Sequence, residues 1–174
     1  MRYEGIKSVS LRGEETTLLI DLPFEVTSPP RDEVGGIPPE LDGIIFNAQR
    51  YRVGNDKIFL NASFSVFNPD VILNFSEEKL YEVLNGELHL NLNQLKSNNK
   101  FTELQAEHQQ NKIDGNPAVV ATATYIVDGN KKYKSTLFYT FKKNEMWRLI
   151  FDYPQDDAAS ASTVDSAVKS IKFK

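Results

Sequence analysis

The sequence predicts an α+β fold, with one antiparallel β-sheet flanked by helices in an α/β/α sandwich. Three observations carry this expectation. Strand-like runs follow one another across very short turns, which makes antiparallel neighbours. Two segments repeat their apolar residues at helical spacing. Several strands carry apolar side chains on both faces, so both faces of the sheet need a cover. The 174 residues are expected to form one domain, 1–174, with its core over about 16–174. A chain of that length can bury roughly 70% of its unfolded surface in a single core.

The elements follow in order. "TTLLIDLPFEV" (16–26) reads as a strand ended by Pro23, with Leu18, Ile20 and Leu22 on one face. "TSPPRDEVGGIPPELDG" (27–43) is dense in Pro and Gly and has no periodicity. Too little chain precedes it for an interdomain linker, so it is a long loop. Such loops either carry function or run as solvated excursions. "GIIFNAQRYRV" (43–53) and "KIFLNASFSVF" (57–67) flank the turn signal "GNDK" and read as a hairpin. In its second strand Ile58, Leu60, Ala62, Phe64 and Val66 share one face. Phe59, Asn61, Ser63, Ser65 and Phe67 share the other, which is more polar.

Ser76 can cap a helix whose first turn holds Glu77 and Glu78 and which runs to about Ser97. At 100° per residue Leu80, Tyr81, Leu84, Leu88, Leu92 and Leu95 gather on one stripe, and Gly86 lies away from it. Strand-like runs follow at 101–113, 117–127, 132–141 and 145–153, joined by DGNP, DGN and KKN as an antiparallel meander. Trp147, Leu149, Phe151 and Tyr153 alternate there with Met146 and Ile150. A small-residue helix closes the order at 157–171, with Val164, Ala167, Val168 and Ile171 on one face.

Bulk chemistry narrows the function classes. The formal charge of −4 argues against nucleic acid or an anionic membrane as the main partner, since both need concentrated Lys and Arg. The "NKKYK" run (130–134) reads as a solvated hairpin end. Without cysteine there is no thiolate nucleophile and no thiolate metal site. No apolar run approaches the length of a membrane helix, and "MRYEGIKSVSLRGEE" lacks the apolar region of a signal peptide. If Met1 is the native start, a cytoplasmic protein is expected. If an upstream signal or lipid-attachment cysteine has been removed, the cell envelope is.

Asp-Gly-Asn occurs at 114–116 and at 128–130. A calcium loop needs six or seven converging oxygens, and Ile113, Pro117 and the lysines after Asp128 stand where ligands would be. Both stretches therefore read as hairpin turns. His89 projects about 120° from the centre of the helical stripe. His108 shares a strand face with Leu104, Ala106 and Gln110. Two histidines without carboxylates at metal spacing make a poor zinc site. Asp152, Asp156 and Asp157 around Pro154 suit the start of the last helix. Asn61-Ala62-Ser63 and Asn74-Phe75-Ser76 match the glycosylation sequon, and Gly35-Gly36 is too little for a phosphate loop. "QRYRV" (49–53) interleaves Arg50, Tyr51 and Arg52. With Arg31 from the loop it is the candidate partner-binding stripe, although arginines also guard a sheet edge against aggregation.

The second half carries a resemblance. "IDGNPAVVATATY" enters a strand through Gly115 and Pro117-Ala118, the Trp147 strand ends near Pro154, and the last helix ends on Ser170-Ile171-Lys172. This pattern resembles the PsbP-like superfamily best over 111–174. The element order and "LIDLPFEV" extend it over 16–174. That superfamily includes the extrinsic PsbP subunit of photosystem II, a yeast nuclear-transport factor that binds the GTPase Ran, and bacterial DcrB-type and lipoprotein relatives. The resemblance implies binding or assembly rather than catalysis, and it supplies no active site to carry over.

The expectation is a non-enzymatic binding or assembly module, bacterial by its relatives, with an unidentified protein partner. No cofactor and no metal are expected, and the sequence leaves the oligomeric state open. The rivals are an enzyme assembled in space from carboxylates and His108, and a self-associating chaperone-like adaptor. A pocket with two perturbed carboxylates, or His108 beside an acid, would favour the enzyme. A shallow apolar patch near 27–52 would favour the binder.

Overall fold

The structure, a computed structural model, describes residues 5–33 and 36–174. Gly35 of the Gly35-Gly36 pair lies outside them. Strands run over Lys7–Arg12 (β1), Thr17–Leu22 (β2), Arg31–Asp32 (β3), Ile45–Gly54 (β4) and Phe59–Phe67 (β5). They continue over Phe101–Ile113 (β6), Asn116–Val127 (β7), Lys131–Lys142 (β8), Glu145–Pro154 (β9) and Lys172–Phe173 (β10). The helices are Pro69–Ile72 (α1), Glu77–Ser97 (α2) and Ala158–Ser170 (α3), and a 3₁₀ turn spans Pro39–Leu41. None of the described helices is long and apolar enough to cross a membrane.

Seven strands make the larger sheet, in the order β3-β4-β5-β9-β8-β7-β6, and every pairing in it is antiparallel. The meander forms as expected because both Asp-Gly pairs take the left-handed backbone that tight hairpin loops need, with two loop residues between β6 and β7 and three between β7 and β8. Asp114 and Gly115 have φ of 50° and 75°, and Asp128 and Gly129 have 52° and 80°. The first turn has a second use, since the Asp114 Oδ2 accepts a hydrogen bond from the Phe173 N–H at 2.9 Å. At "GNDK" the Asn55 side chain accepts from the N–H groups of Lys57 and Ile58, fixing the β4–β5 turn.

The period-two alternation sorts the side chains into two cores. On one face Leu84, Leu88 and Leu92 of α2 pack on Val119, Ala121, Tyr125, Leu137 and Tyr139. The Ser76 hydroxyl caps α2 by accepting from the Lys79 N–H at 3.1 Å. On the other face Trp147, Leu149, Phe151 and Tyr153 of β9 meet Leu60, Ala62, Phe64 and Val66 of β5. Val164, Ala167 and Ile171, at and beyond α3, close that core together with Leu11, Leu18, Ile20 and Leu22.

The α+β class with antiparallel strands and helices is as expected, and the structure adds a second sheet to the expected one. The strand expected at 16–26 is β2, but it pairs with β1 and β10 in a separate three-stranded sheet. That sheet and α3 together cover the second face. β1 was not expected. Four of the six residues of its sequence KSVSLR are polar, and only Leu11 of it is fully buried.

A buried carboxylate locks the small sheet to the large one. Glu145, with no exposed surface, begins β9. Its Oε2 accepts from the N–H groups of Glu14 and Glu15, each at 3.0 Å, and its Oε1 accepts from the Thr16 N–H at 3.0 Å and from the Thr16 hydroxyl. The Thr16 Oγ1 in turn accepts from the Trp147 Nε1–H at 2.9 Å. The β1–β2 turn is therefore moulded on one side chain some 130 residues away in sequence.

Candidate functional site

The α2 face of the large sheet carries a row of arginines. Register places Arg31 opposite Arg50, Arg50 opposite Ser63, Ser63 opposite Arg148, and Arg148 opposite Tyr139. Residues directly opposite one another share a face and lie within side-chain reach. Arg52, two places along β4, joins the same face one row over, opposite Asn61. Four cations thus stand together in a chain whose net charge is −4.

Arg148 is the fixed member. Its Nε–H donates to the Ser63 Oγ at 3.0 Å, and its two terminal nitrogens donate to the Ser65 Oγ at 3.1 Å and to a Glu87 carboxylate oxygen of α2 at 3.2 Å. Asn91, one turn along α2, donates to the Tyr139 hydroxyl at 2.6 Å. Burial holds the Tyr139 hydroxyl well above its ordinary pKa, so it stays neutral and accepts this bond. Glu33 reaches into the row from the loop, 3.7 Å from Arg50 and 3.8 Å from Arg148. Both separations are ion-pair distances and too long for hydrogen bonds.

Two cavities adjoin the row. A cleft of about 440 Å³ lies between α2 and the loop, floored by Asn61, Ser63, Ser65 and Arg148 and walled by Ile37, Leu41, Ile45 and Leu90. Ser63 and Ser65 accept from Arg148, which leaves their hydroxyl protons free to donate into the cleft. The Asn61 Oδ1 is buried without a partner among the described residues. The second cavity, about 310 Å³, lies at the sheet edge and is lined by Ser28, Pro29, Arg31, Arg50, Tyr51, Arg52 and Val53.

The structure therefore brings all four residues of the candidate stripe to one groove, but not in one role. Tyr51 points to the opposite face, is buried there, accepts from the Arg12 N–H and donates to the Arg12 carbonyl at 2.8 Å. It anchors β1. Arg31, Arg50 and Arg52 line the edge cavity. The part of 27–52 around "RYR" is cationic, because every second residue turns a guanidinium to the same side, while Ile37, Leu41 and Ile45 give the adjoining cleft apolar walls.

Arg148 was not singled out from the sequence. Its signal was present: one cation between Met146 and Ile150 on a strand face that is otherwise apolar. Glu33 and Glu87 had none, since they meet Arg148 only through the fold.

The other candidates separate. The two histidines come together from α2 and β6 with ring centroids 5.3 Å apart, so His108 stands beside His89. Among the described residues no three His, Cys, Asp or Glu side chains are placed to hold a metal ion. Asp152 accepts from the hydroxyls of Ser135 and Tyr125, and burial raises its carboxyl above the usual range. Asp157 precedes α3, where the Ser160 hydroxyl donates to it at 2.7 Å and lowers its pKa. Asp156 is exposed. The sequon Asn61 lies within β5, and Asn74 lies in an exposed turn after α1.

No protein-family model matches the chain, and no curated protein matches its sequence. Solved structures similar to it include cyanobacterial PsbP from Synechocystis sp. PCC 6803, at 12% identity and a TM-score of 0.49 over 100% of this chain and 95% of that one. LpqN, involved in cell envelope biogenesis of Mycobacterium tuberculosis, is similar at 14% identity and a TM-score of 0.46 over 97% and 91%. The protein of unknown function PA94 from Pseudomonas aeruginosa is similar at 7% identity and a TM-score of 0.45 over 94% of each chain.

Proposed function

We propose that the protein is a non-enzymatic binding module that takes an anionic segment of a partner protein at its arginine row. One observation carries the reading: Arg31 stands directly opposite Arg50, with Arg52 on the same face beside a cavity. Like charges directly opposite one another destabilise a sheet. Glu33 offsets that repulsion only at ion-pair distance from Arg50, and Arg31 and Arg52 form no ion pair among the described residues. A bound carboxylate would complete the neutralisation. The groove is also built on strands, so its charges are held in place before a partner arrives.

Charge reversal tests this. The variant carrying Arg31→Glu and Arg52→Glu should lose at least tenfold in affinity for poly-glutamate at low salt, measured by fluorescence anisotropy. The parent's affinity should fall as salt rises. Equal binding by parent and variant would place the anion elsewhere and sink the reading. Tighter binding of a single-stranded RNA homopolymer than of poly-glutamate would replace a protein partner with nucleic acid.

A further inference from the structure

We infer that the anionic segment binds at the open edge of β4 as an added strand, with acidic and apolar residues in alternation. This rests on the reading of the arginine groove as the partner site and names how that site recognises its ligand. β3 is the outermost strand but pairs only Arg31 with Arg50 and Asp32 with Gln49. The Glu33 N–H donates to the Ala48 carbonyl at 3.0 Å, so the even-numbered residues of β4 turn their backbone groups toward this edge.

Continuing the register, Pro29 would stand opposite Arg52 and Pro30 opposite Tyr51. Proline has no N–H to give, so the ladder cannot continue and the chain leaves the edge. The backbone N–H and C=O groups of Arg52 and Gly54 remain beyond the last β3 pair. The 310 Å³ cavity lies where the missing strand would run. Its lining alternates Arg50 and Arg52 on one face with Tyr51 and Val53 on the other.

An incoming strand must match that alternation. The side chain opposite Arg52 would be a carboxylate, within diagonal reach of Arg50, whose own partner is Arg31, and those on the face of Tyr51 and Val53 would be small and apolar. The arginines also repel basic strands and a second copy of this same edge. The edge is thereby closed to self-pairing and open to an acidic segment.

Three blocked peptides separate the components in calorimetric titrations. One alternates Val and Glu over seven residues, one has the same composition with all the Glu together, and one is the alternating peptide N-methylated at every second amide. Blocking those amides removes the strand's hydrogen bonds and keeps its charge. The alternating peptide should bind about tenfold or more tightly than either of the others. Hydrogen exchange of the Arg52 amide should slow at saturation by at least the same factor.

Equal, arginine-dependent binding of all three peptides would overturn the added strand while the arginine site stands. Binding that the Arg31→Glu and Arg52→Glu variant does not weaken would overturn the site as well. No binding of any peptide, beside intact binding of poly-glutamate, would overturn the strand alone.

Discussion

Replacing Glu145 by glutamine tests how the small sheet is held. The substitution keeps shape and volume but turns one carboxylate oxygen into an NH₂ group. With the remaining oxygen toward Thr16, the new donor faces the N–H groups of Glu14 and Glu15, which now have no acceptor. A hydrogen bond to a charged group contributes about 1.5–3 kcal/mol net, so losing two costs at least about 3 kcal/mol. For a protein of this size each kcal/mol shifts the melting temperature by about 2–4 °C, which gives a drop of roughly 6–12 °C. Glu145→Ala loses all four bonds and by the same figure should cost at least about 6 kcal/mol, beyond the usual range for a point substitution.

Gly13 supplies an internal control. A Cβ there would lie 2.4 Å from the Glu145 Oε1 and 2.9 Å from the Trp147 ring. Gly13→Ala should therefore cost less when Glu145 is already alanine, with a coupling of about 1 kcal/mol between the two positions. Thermal unfolding followed by fluorescence of Trp147, the only tryptophan, reads all four variants. A Glu145→Gln protein that melts within about 2 °C of the parent would refute the account of the clamp.

Other substitutions probe separate parts of the structure. Burial raises the Asp152 carboxyl in the folded state, so the protonated form is favoured by folding and the group's contribution is lost as pH rises through the raised value. Asp152→Asn, which keeps an acceptor for Ser135 and Tyr125, should stabilise the protein at pH 7 and lose that advantage below about pH 4, in urea midpoints across pH. Gly86→Ala should stabilise by about 1 kcal/mol, since the added Cβ meets nothing within 4 Å on an exposed helical position; a lower melting temperature would contradict this. Removing Arg148 (to Met) and Glu87 (to Gln), singly and together, should give a coupling of about 0.5–3 kcal/mol in thermal unfolding. Additive losses would mean that the pair does not act as one.

What the sequence revealed and what it concealed divide along physical lines. α2 and the meander were legible because their cause is local: a capping serine, a stripe of leucines, Asp-Gly pairs that favour positive φ. The second sheet was not, because KSVSLR becomes a strand only by pairing with Thr17–Leu22 across a turn built on Glu145. The arginine groove was half legible. Alternation in "RYR" put Arg50 and Arg52 on one face, while Arg31 read only as part of a long loop. Nothing in the sequence set Arg31 opposite Arg50 or brought Arg148 into the same row, since those neighbours are fixed by strand order.

Glu33 decides whether the row is a completed ion-pair network or a site awaiting a ligand. A network built for stability would hold Glu33 in hydrogen-bonding contact, as it holds Glu87 at 3.2 Å from Arg148. Glu33 instead stays 3.7 and 3.8 Å from two guanidinium groups, which fits a carboxylate that gives way to another. Glu33→Gln removes this internal competitor and raises the local charge by one. A surface ion pair contributes about 0.2–1 kcal/mol, so affinity for the alternating acidic peptide should rise roughly 1.5- to 5-fold, with thermal stability nearly unchanged. Weaker peptide binding by Glu33→Gln, at equal stability, would show that Glu33 orients the arginines and would end the view of it as a stand-in for the ligand.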